Sequence, residues 1–197
     1  MKDDEVEPHI QRKYELSKNP MGKGAYGIVW KAIDRKSRRI SALKLCYDAF
    51  RNSTDAQRTY REIMYLQKLS GHENIIHMQS IIEAENGKDI YISFEFMETD
   101  LYSVIRAGIL LDIHVKYIIY QVLKALKFIH SGDLIHRDIK PSNVLLNADC
   151  HVKLCDFGLC RSVAELEAPG RMLTDYVATR WYRSPEILLG STKYTKG

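Results

Sequence analysis

His136-Arg137-Asp138-Ile139-Lys140-Pro141-Ser142-Asn143 is the stretch on which the reading of this chain turns. An aspartate here can accept a proton from a hydroxyl and orient the oxygen that attacks. Asn143, five residues on, offers a carbonyl oxygen to a metal ion, and Lys140 can steady a phosphoryl group as charge moves. A polar loop around a buried histidine is the plain alternative. The spacing H-R-D-x-x-x-x-N is specific enough to set it aside.

The flanks support that choice. VKYIIYQVLKALKFIHSG precedes the loop and reads as an amphipathic helix, with Ile118, Val122, Leu126 and Ile129 on one stripe and Gly132 as its stop. VLL and VKLC follow as two short strands, with Asn147-Ala148-Asp149 turning between them. Asp156-Phe157-Gly158 comes next, and its carboxylate is suited to a magnesium ion that bridges phosphates.

Further upstream, Gly22-x-Gly24-x-x-Gly27-x-Val29 provides three positions where backbone can approach a phosphate. A dinucleotide-binding fold, and with it an oxidoreductase, is a rival reading of three such glycines. That fold requires a helix directly after the last glycine. Here Ile28-Val29-Trp30-Lys31-Ala32-Ile33 alternates like a strand, so a glycine hairpin over a nucleotide fits better. Lys44 ends the strand Ser41-Ala42-Leu43-Lys44, and Glu62 follows on a candidate helix that starts near Ser53, Thr54 or Asp55, with Ile63, Leu66 and Leu69 at helical spacing. A lysine that grips phosphates needs such a carboxylate to hold it. Strand candidates around 75–82 and 89–96 flank Asn86-Gly87, a hairpin signal. The architecture expected is α+β: a β-rich first lobe with one helix, then a mainly α second lobe. Residues 1–13 read as a polar leader, 14–97 as the first lobe and its connector, and 98–197 as part of the second.

Bulk composition excludes several classes. The 29 Lys and Arg against 25 Asp and Glu leave +4, too small and too dispersed an excess to argue for nucleic acid or a membrane surface. Cys46, Cys150, Cys155 and Cys160 form no C-x-x-C pair, so reduced thiols of the cytosol or nucleus are expected rather than a metal knot or a disulfide framework. MKDDEVEPHI is acidic and does not resemble a secretion signal, and no apolar run reaches a membrane span.

Glycine loop, strand lysine, helix glutamate, catalytic loop, D-F-G and Ser184-Pro185-Glu186 occur in the order of the protein kinase family, and the resemblance extends from Tyr14 to the end. Met97-Glu98-Thr99-Asp100, HRDIKPSN and TDYVATRWYRSPE at 174–186 resemble the mitogen-activated protein kinases, and GKGAYGIVWKA resembles their atypical extracellular-signal-regulated branch.

The resemblance implies a bilobal protein-kinase fold that uses ATP and Mg2+. It gives Asp138, Lys140, Lys44 and Glu62 catalytic duties and makes Asn143 and Asp156 metal ligands. Gly22, Gly24, Gly27, Val29, Ala42, Lys44, Glu95, Met97, Asp100 and Leu145 would hold the nucleotide, with Phe94 at the back of the pocket. Thr174 and Tyr176 would be phosphorylated, by an upstream kinase or by the chain itself. A phosphate adds roughly −1.5 to −2 charges and seeks arginines. Arg61, Arg137 and Arg161 would receive phospho-Thr174, and Arg180 and Arg183 phospho-Tyr176. The implied substrates are proteins with Ser/Thr-Pro sites, in the cytoplasm or nucleus.

Three departures from the family stand out. Pro20-Met21 fall where the first strand should run into the glycine loop, so a frayed or bulged strand end is expected there. Ser184 replaces an alanine, with small effect expected. The chain stops at Gly197, before the helix that anchors the catalytic loop in the family, the arginine that pairs with Glu186, and the acidic docking groove. An isolated chain that is unstable, weakly active or inactive is therefore expected, with its motif set intact. A non-catalytic form that binds nucleotide or partners is the alternative to an active kinase.

Overall fold

The computed structural model describes residues 6–24, 27–50, 52–167, 180–189 and 195–196. It divides into two compact units, Met1–Thr59 with His77–Phe96, and Tyr60–Ile76 with Met97–Gly197.

The first unit is built on an antiparallel sheet. Helix α1 (Pro8–Lys13) leads into β1 (Tyr14–Leu16), then β2 (Gly22–Gly24), β3 (Gly27–Asp34) and β4 (Ile40–Cys46). Helix α2 (Ser53–Lys68) spans the division, and β5 (Met78–Glu83) and β6 (Ile90–Glu95) complete the sheet. The strand order is β1-β3-β4-β6-β5, with β2 paired to β3. Asn52 accepts the Asp55 N–H at 2.8 Å, and α2 begins at Ser53, the first of the expected starts. The Asn86-Gly87 hairpin forms as expected: Gly87 has φ +62°, and Asn86 Oδ1 accepts the N–H groups of Lys88 and Asp89.

Residues 6–13 behave unlike a loose leader. Val6, Ile10 and Tyr14 recur at helical spacing, and all three are buried in one cluster with Ile28, Trp30, Leu43, Leu45 and Tyr91. Ile10 is 0% exposed. Helix α1 thus covers one face of the sheet. The break expected at Pro20 is present between β1 and β2. Ser17 N–H to Lys31 O and Met21 N–H to Val29 O keep the chain against β3 on both sides of the break.

In the second unit, β7 (Thr99–Asp100) is followed by α3 (Leu101–Ala107), α4 (Asp112–Ser131) and β8 (Leu134–Ile135). The hairpin β9 (Val144–Leu146) and β10 (Val152–Leu154) forms a small sheet with β7, and β11 (Arg161–Ser162) pairs with β8. The short helices α5 (Val163–Glu167) and α6 (Pro185–Leu188) complete it. Ile118, Gln121, Val122, Ala125 and Ile129 are the buried face of α4, and Leu126 is half-buried. The outward side of the helix is apolar too: Ile113 is 66% exposed, Ile119 47% and Leu123 58%.

Residues 60–76 group with the second unit and not with the linear segment 14–97. The reason is a buried polar network. Asn74 Nδ2 donates to Gln121 Oε1 at 3.2 Å and to Val152 O at 2.9 Å, while Gln121 Oε1 accepts the Val152 N–H. Asn74 O accepts the Leu154 N–H, and Ile76 N–H returns to Leu154 O. His72 stacks on Phe128 with ring centroids 4.5 Å apart.

Candidate functional site

The face of the sheet opposite α1 carries the residues expected to meet a nucleotide. Cross-strand partners share a face of a sheet. Gly22 faces Val29, Val29 faces Lys44, and Lys44 faces Ile92, while Ala42 faces Phe94. Val29, Ala42 and Lys44 are half-buried, whereas the alternate residues Ile28, Trp30, Leu43 and Leu45 are sealed under α1. A β-carbon on Gly27 would lie 1.9 Å from the Leu45 carbonyl oxygen, so only glycine allows β3 to approach β4 there. Among the described residues, Gly22 and Gly24 have nothing within 4 Å of such a carbon. Their backbone is open on that side, as close approach of a ligand requires. At the end of β6, Glu95 N–H donates to His77 O at 3.0 Å, and Glu95 Oε1 accepts the His77 N–H at 2.7 Å.

In the second unit the catalytic-loop string forms one hydrogen-bonded knot. Lys140 Nζ donates to Asp138 Oδ2 at 2.7 Å. Asn143 Nδ2 donates to the same oxygen at 3.0 Å and to the Asp138 carbonyl at 2.9 Å. The carboxylate is buried, so both charge-assisted bonds offset a real desolvation cost. Asp138 N–H donates to His136 Nδ1 at 3.2 Å, and His136 Nε2 lies 3.0 Å from Cys155 O. That pair of contacts requires a neutral ring with its proton on Nε2. Burial pushes the His136 pKa below its ordinary value and keeps the ring in that form. The ring meets Phe157 edge-on at 4.8 Å, and Cys155 N–H donates to Asn143 O. His136 therefore ties the loop to the segment that carries Asp156.

Asp156 and Arg137 both take left-handed backbone, with φ +62° and +68°. Such conformations cost about 1 kcal/mol or more for a residue with a side chain, and they persist where the surroundings hold them. Asn143 and Asp156 are oxygen ligands of the kind Mg2+ accepts alongside water and phosphate oxygens. Asn143 commits its nitrogen to Asp138, which leaves Oδ1 as its metal-type donor. Two such donors fit an ion bound mostly through its substrate. Among the described residues no group of three or more His, Cys, Asp or Glu side chains forms a dedicated cage.

Three of the expected phosphate-pairing arginines converge on one turn. Arg61 donates to Gly158 O at 3.5 Å, Arg137 to Leu159 O at 3.3 Å and Arg161 to Cys160 O at 2.9 Å. Burial raises the Cys160 thiol pKa to about 12, against the pull of these three cations. Arg180 and Arg183 occupy a separate turn; Arg183 and Arg137 both line a cavity of about 260 Å³ that also includes Asp138. Thr174 and Tyr176 lie outside the described residues.

Other expected positions fall as follows. Glu62 is buried on α2 in the second unit, and Lys44 stands on β4 in the first. Met97 is buried, and Asp100 faces Leu145 across β7 and β9. Asp100 also caps α3, accepting the Ser103 N–H at 2.9 Å and hydroxyl at 3.0 Å. Sequence reasoning missed the Asn74–Gln121 network and the buried hydroxyls of Ser41 and Ser93. The only signal for Gln121, Ser41 and Ser93 is a polar residue between apolar ones; Asn74, after His72-Glu73, carries none.

The chain is similar to known kinases over nearly all of its own length. The chain is 62% identical over 200 residues to extracellular signal-regulated kinase 2 of Dictyostelium discoideum, covering 100% of this chain and 54% of that protein. It is 64% identical over 196 residues to mitogen-activated protein kinase 15 of Xenopus laevis (98% of this chain, 33% of that protein). The Caenorhabditis elegans protein of the latter name is 58% identical over 200 residues (98% and 42%). The chain thus spans between a third and about half the length of these curated relatives. The model of the protein kinase domain matches residues 15–197, which takes in both the glycine hairpin and the Asp138 knot, and on that match the chain belongs to the protein kinase family.

Proposed function

We propose that this chain is the ATP-binding and catalytic-loop part of a serine/threonine kinase of the mitogen-activated type. Such an enzyme transfers the γ-phosphate of ATP to serine or threonine followed by proline in protein substrates. Residues 14–97 would be the N-lobe and hinge, and 98–197 part of the C-lobe. The observation that carries this reading is the Asp138 knot. Its carboxylate is oriented by Asn143 and paired to Lys140, with His136 fixing its backbone.

In the proposed reaction, Asp138 orients the substrate hydroxyl and accepts its proton as the oxygen attacks the γ-phosphorus and ADP leaves. Lys140, already at the carboxylate, would stabilise charge on the transferring phosphoryl group. Gly22, Gly24 and Gly27 would lie over the phosphates, and Lys44 would grip them; Glu62 would be a further catalytic residue. Val29 and Ala42 would meet the adenine, whose edge would bond the backbone at Glu95; Leu145, Met97 and Asp100 would be the second unit's residues for the nucleotide. Mg2+ held by Asn143 and Asp156 would neutralise phosphate charge.

Phosphorylation of Thr174 and Tyr176, by an upstream kinase or in the same chain, would act as the switch. The turn at 158–160 supports this part of the reading. Arg61, Arg137 and Arg161 already surround it, as a receiving site for one phosphate requires. Cytoplasm or nucleus is the proposed compartment. No helix among the described residues is long and apolar enough to cross a membrane.

The test is transfer of radiolabelled γ-phosphate from ATP to a Ser-Pro peptide, with Asp138→Asn as control. Transfer that the substitution abolishes is expected. Nucleotide binding without any transfer would replace this reading by the non-catalytic one.

A further inference from the structure

Strand β5 carries a fault beside the nucleotide face. Its register with β6 shifts between Met78 and Ser80, which leaves Gln79 as the extra residue of a bulge. Gln79 lies on the surface, yet its side-chain oxygen reaches into the sheet. Oε1 accepts the Ser41 hydroxyl at 2.8 Å and the Ser93 hydroxyl at 3.0 Å. Ser41 and Ser93 are only 2% and 1% exposed. A buried hydroxyl without a partner carries a desolvation cost, so one carboxamide oxygen satisfies two donors on two strands.

The position of the staple gives it a use. Ser41 lies directly opposite Glu95 across β4 and β6, and Ser93 is two residues before it. On the far side of the bulge, His77 exchanges two bonds with Glu95. Bulge, staple and His77 together hold the last residues of β6 from their outer side. Phe94, between Ser93 and Glu95, points to the opposite face beside Ala42.

We infer that Gln79 is a positioning residue for adenine recognition: it sets where the Glu95 backbone and Phe94 stand without touching the nucleotide. The inference rests on the nucleotide-binding reading above. Loss of the staple should loosen contacts to the base and leave contacts to the phosphates alone.

The experiment is calorimetric titration of the full chain with ADP and, separately, with inorganic tripolyphosphate. Gln79→Leu is expected to weaken ADP about tenfold and leave tripolyphosphate unchanged. Gln79→Glu keeps an accepting oxygen and should hold ADP within about twofold of the parent. If Gln79→Leu does not fold, the triple variant Ser41→Ala, Ser93→Ala, Gln79→Leu removes acceptor and donors together and takes the same two titrations. Unchanged ADP affinity in the leucine or triple variant would overturn the inference while the nucleotide reading stands. An equal loss for ADP and tripolyphosphate would reduce Gln79 to a general structural part and overturn it as well. A parent chain that binds neither ligand would remove the nucleotide reading, and this inference with it.

Discussion

Asn143 binds Asp138 twice, through the carboxylate oxygen and through the backbone carbonyl five residues back in its own loop. One amide group therefore sets both the side chain and the main chain of the proposed base. Asn143→Ala should leave a buried carboxylate with one donor fewer and cost about 1–3 kcal/mol of stability. Phosphoryl transfer should fall by at least about a hundredfold, because orientation and a metal-type oxygen are lost together. Thermal unfolding and single-turnover transfer, measured on one preparation, check both. A variant with parental melting and parental rate would show that the double bond does no orienting.

The three glycines should separate cleanly. Gly27→Ala places a methyl against the Leu45 carbonyl, and the strands must part. A loss of about 1–3 kcal/mol is expected from that overpacking. Gly22→Ala and Gly24→Ala meet nothing among the described residues, so their stability should stay within about 0.5 kcal/mol of the parent. Any defect they show should be in nucleotide affinity. Urea unfolding of the three variants tests the order.

Ile10→Ala should cost about 2–5 kcal/mol, a core-sized loss from a residue near the start of the chain. Chemical denaturation followed through the signal of Trp30, which shares its cluster, is a direct readout. A midpoint unchanged by the substitution would mean that α1 is not part of the core.

That prediction marks a limit of the sequence reading. HRDIKPSN was legible because the chemistry fixes residue types at fixed spacing, and the glycine hairpin was legible because the strand after Gly27 excludes a helix. Helix α1 was not. Only Val6, Ile10 and Tyr14 mark its buried side, and the charged residues between them are equally at home in a loose tail. Gln121 lay on the stripe read as apolar, and its meaning depends on Asn74 and Val152, remote in sequence. Tertiary partners decide such positions, and no local period announces them.

His72 should make stability sensitive to acid. Its Nδ1 accepts the Asn74 N–H at 3.1 Å, which only an unprotonated nitrogen can do. Burial lowers its pKa below the ordinary 6.5, with Glu73 pulling the other way and Lys124 and Lys153 adding to the fall. A lowered folded-state pKa means the unfolded chain takes up the proton first. Its contribution is therefore intact above about pH 6.5 and declines as the pH falls from there to the folded-state value. His130 and His136, lowered by burial as well, act in the same direction. His72→Gln keeps an acceptor without the titration. The difference in melting temperature between about pH 7.5 and about pH 5.5 should be smaller in that variant than in the parent. Equal differences would exclude His72 as a contributor.

Helix α4 has a consequence for handling the protein. With Ile113, Ile119 and Leu123 turned to water as well as Ile118 and Ile129 turned inward, it sets oily side chains among the charged ones, Asp112 and Lys116, on its wet side. Ammonium sulfate, which strengthens the tendency of oil-like surfaces to cluster, should drive this polypeptide out of solution early. Its sedimentation coefficient should climb with concentration, and glutamates written at positions 113, 119 and 123 should suppress that climb while the melting curve keeps its shape.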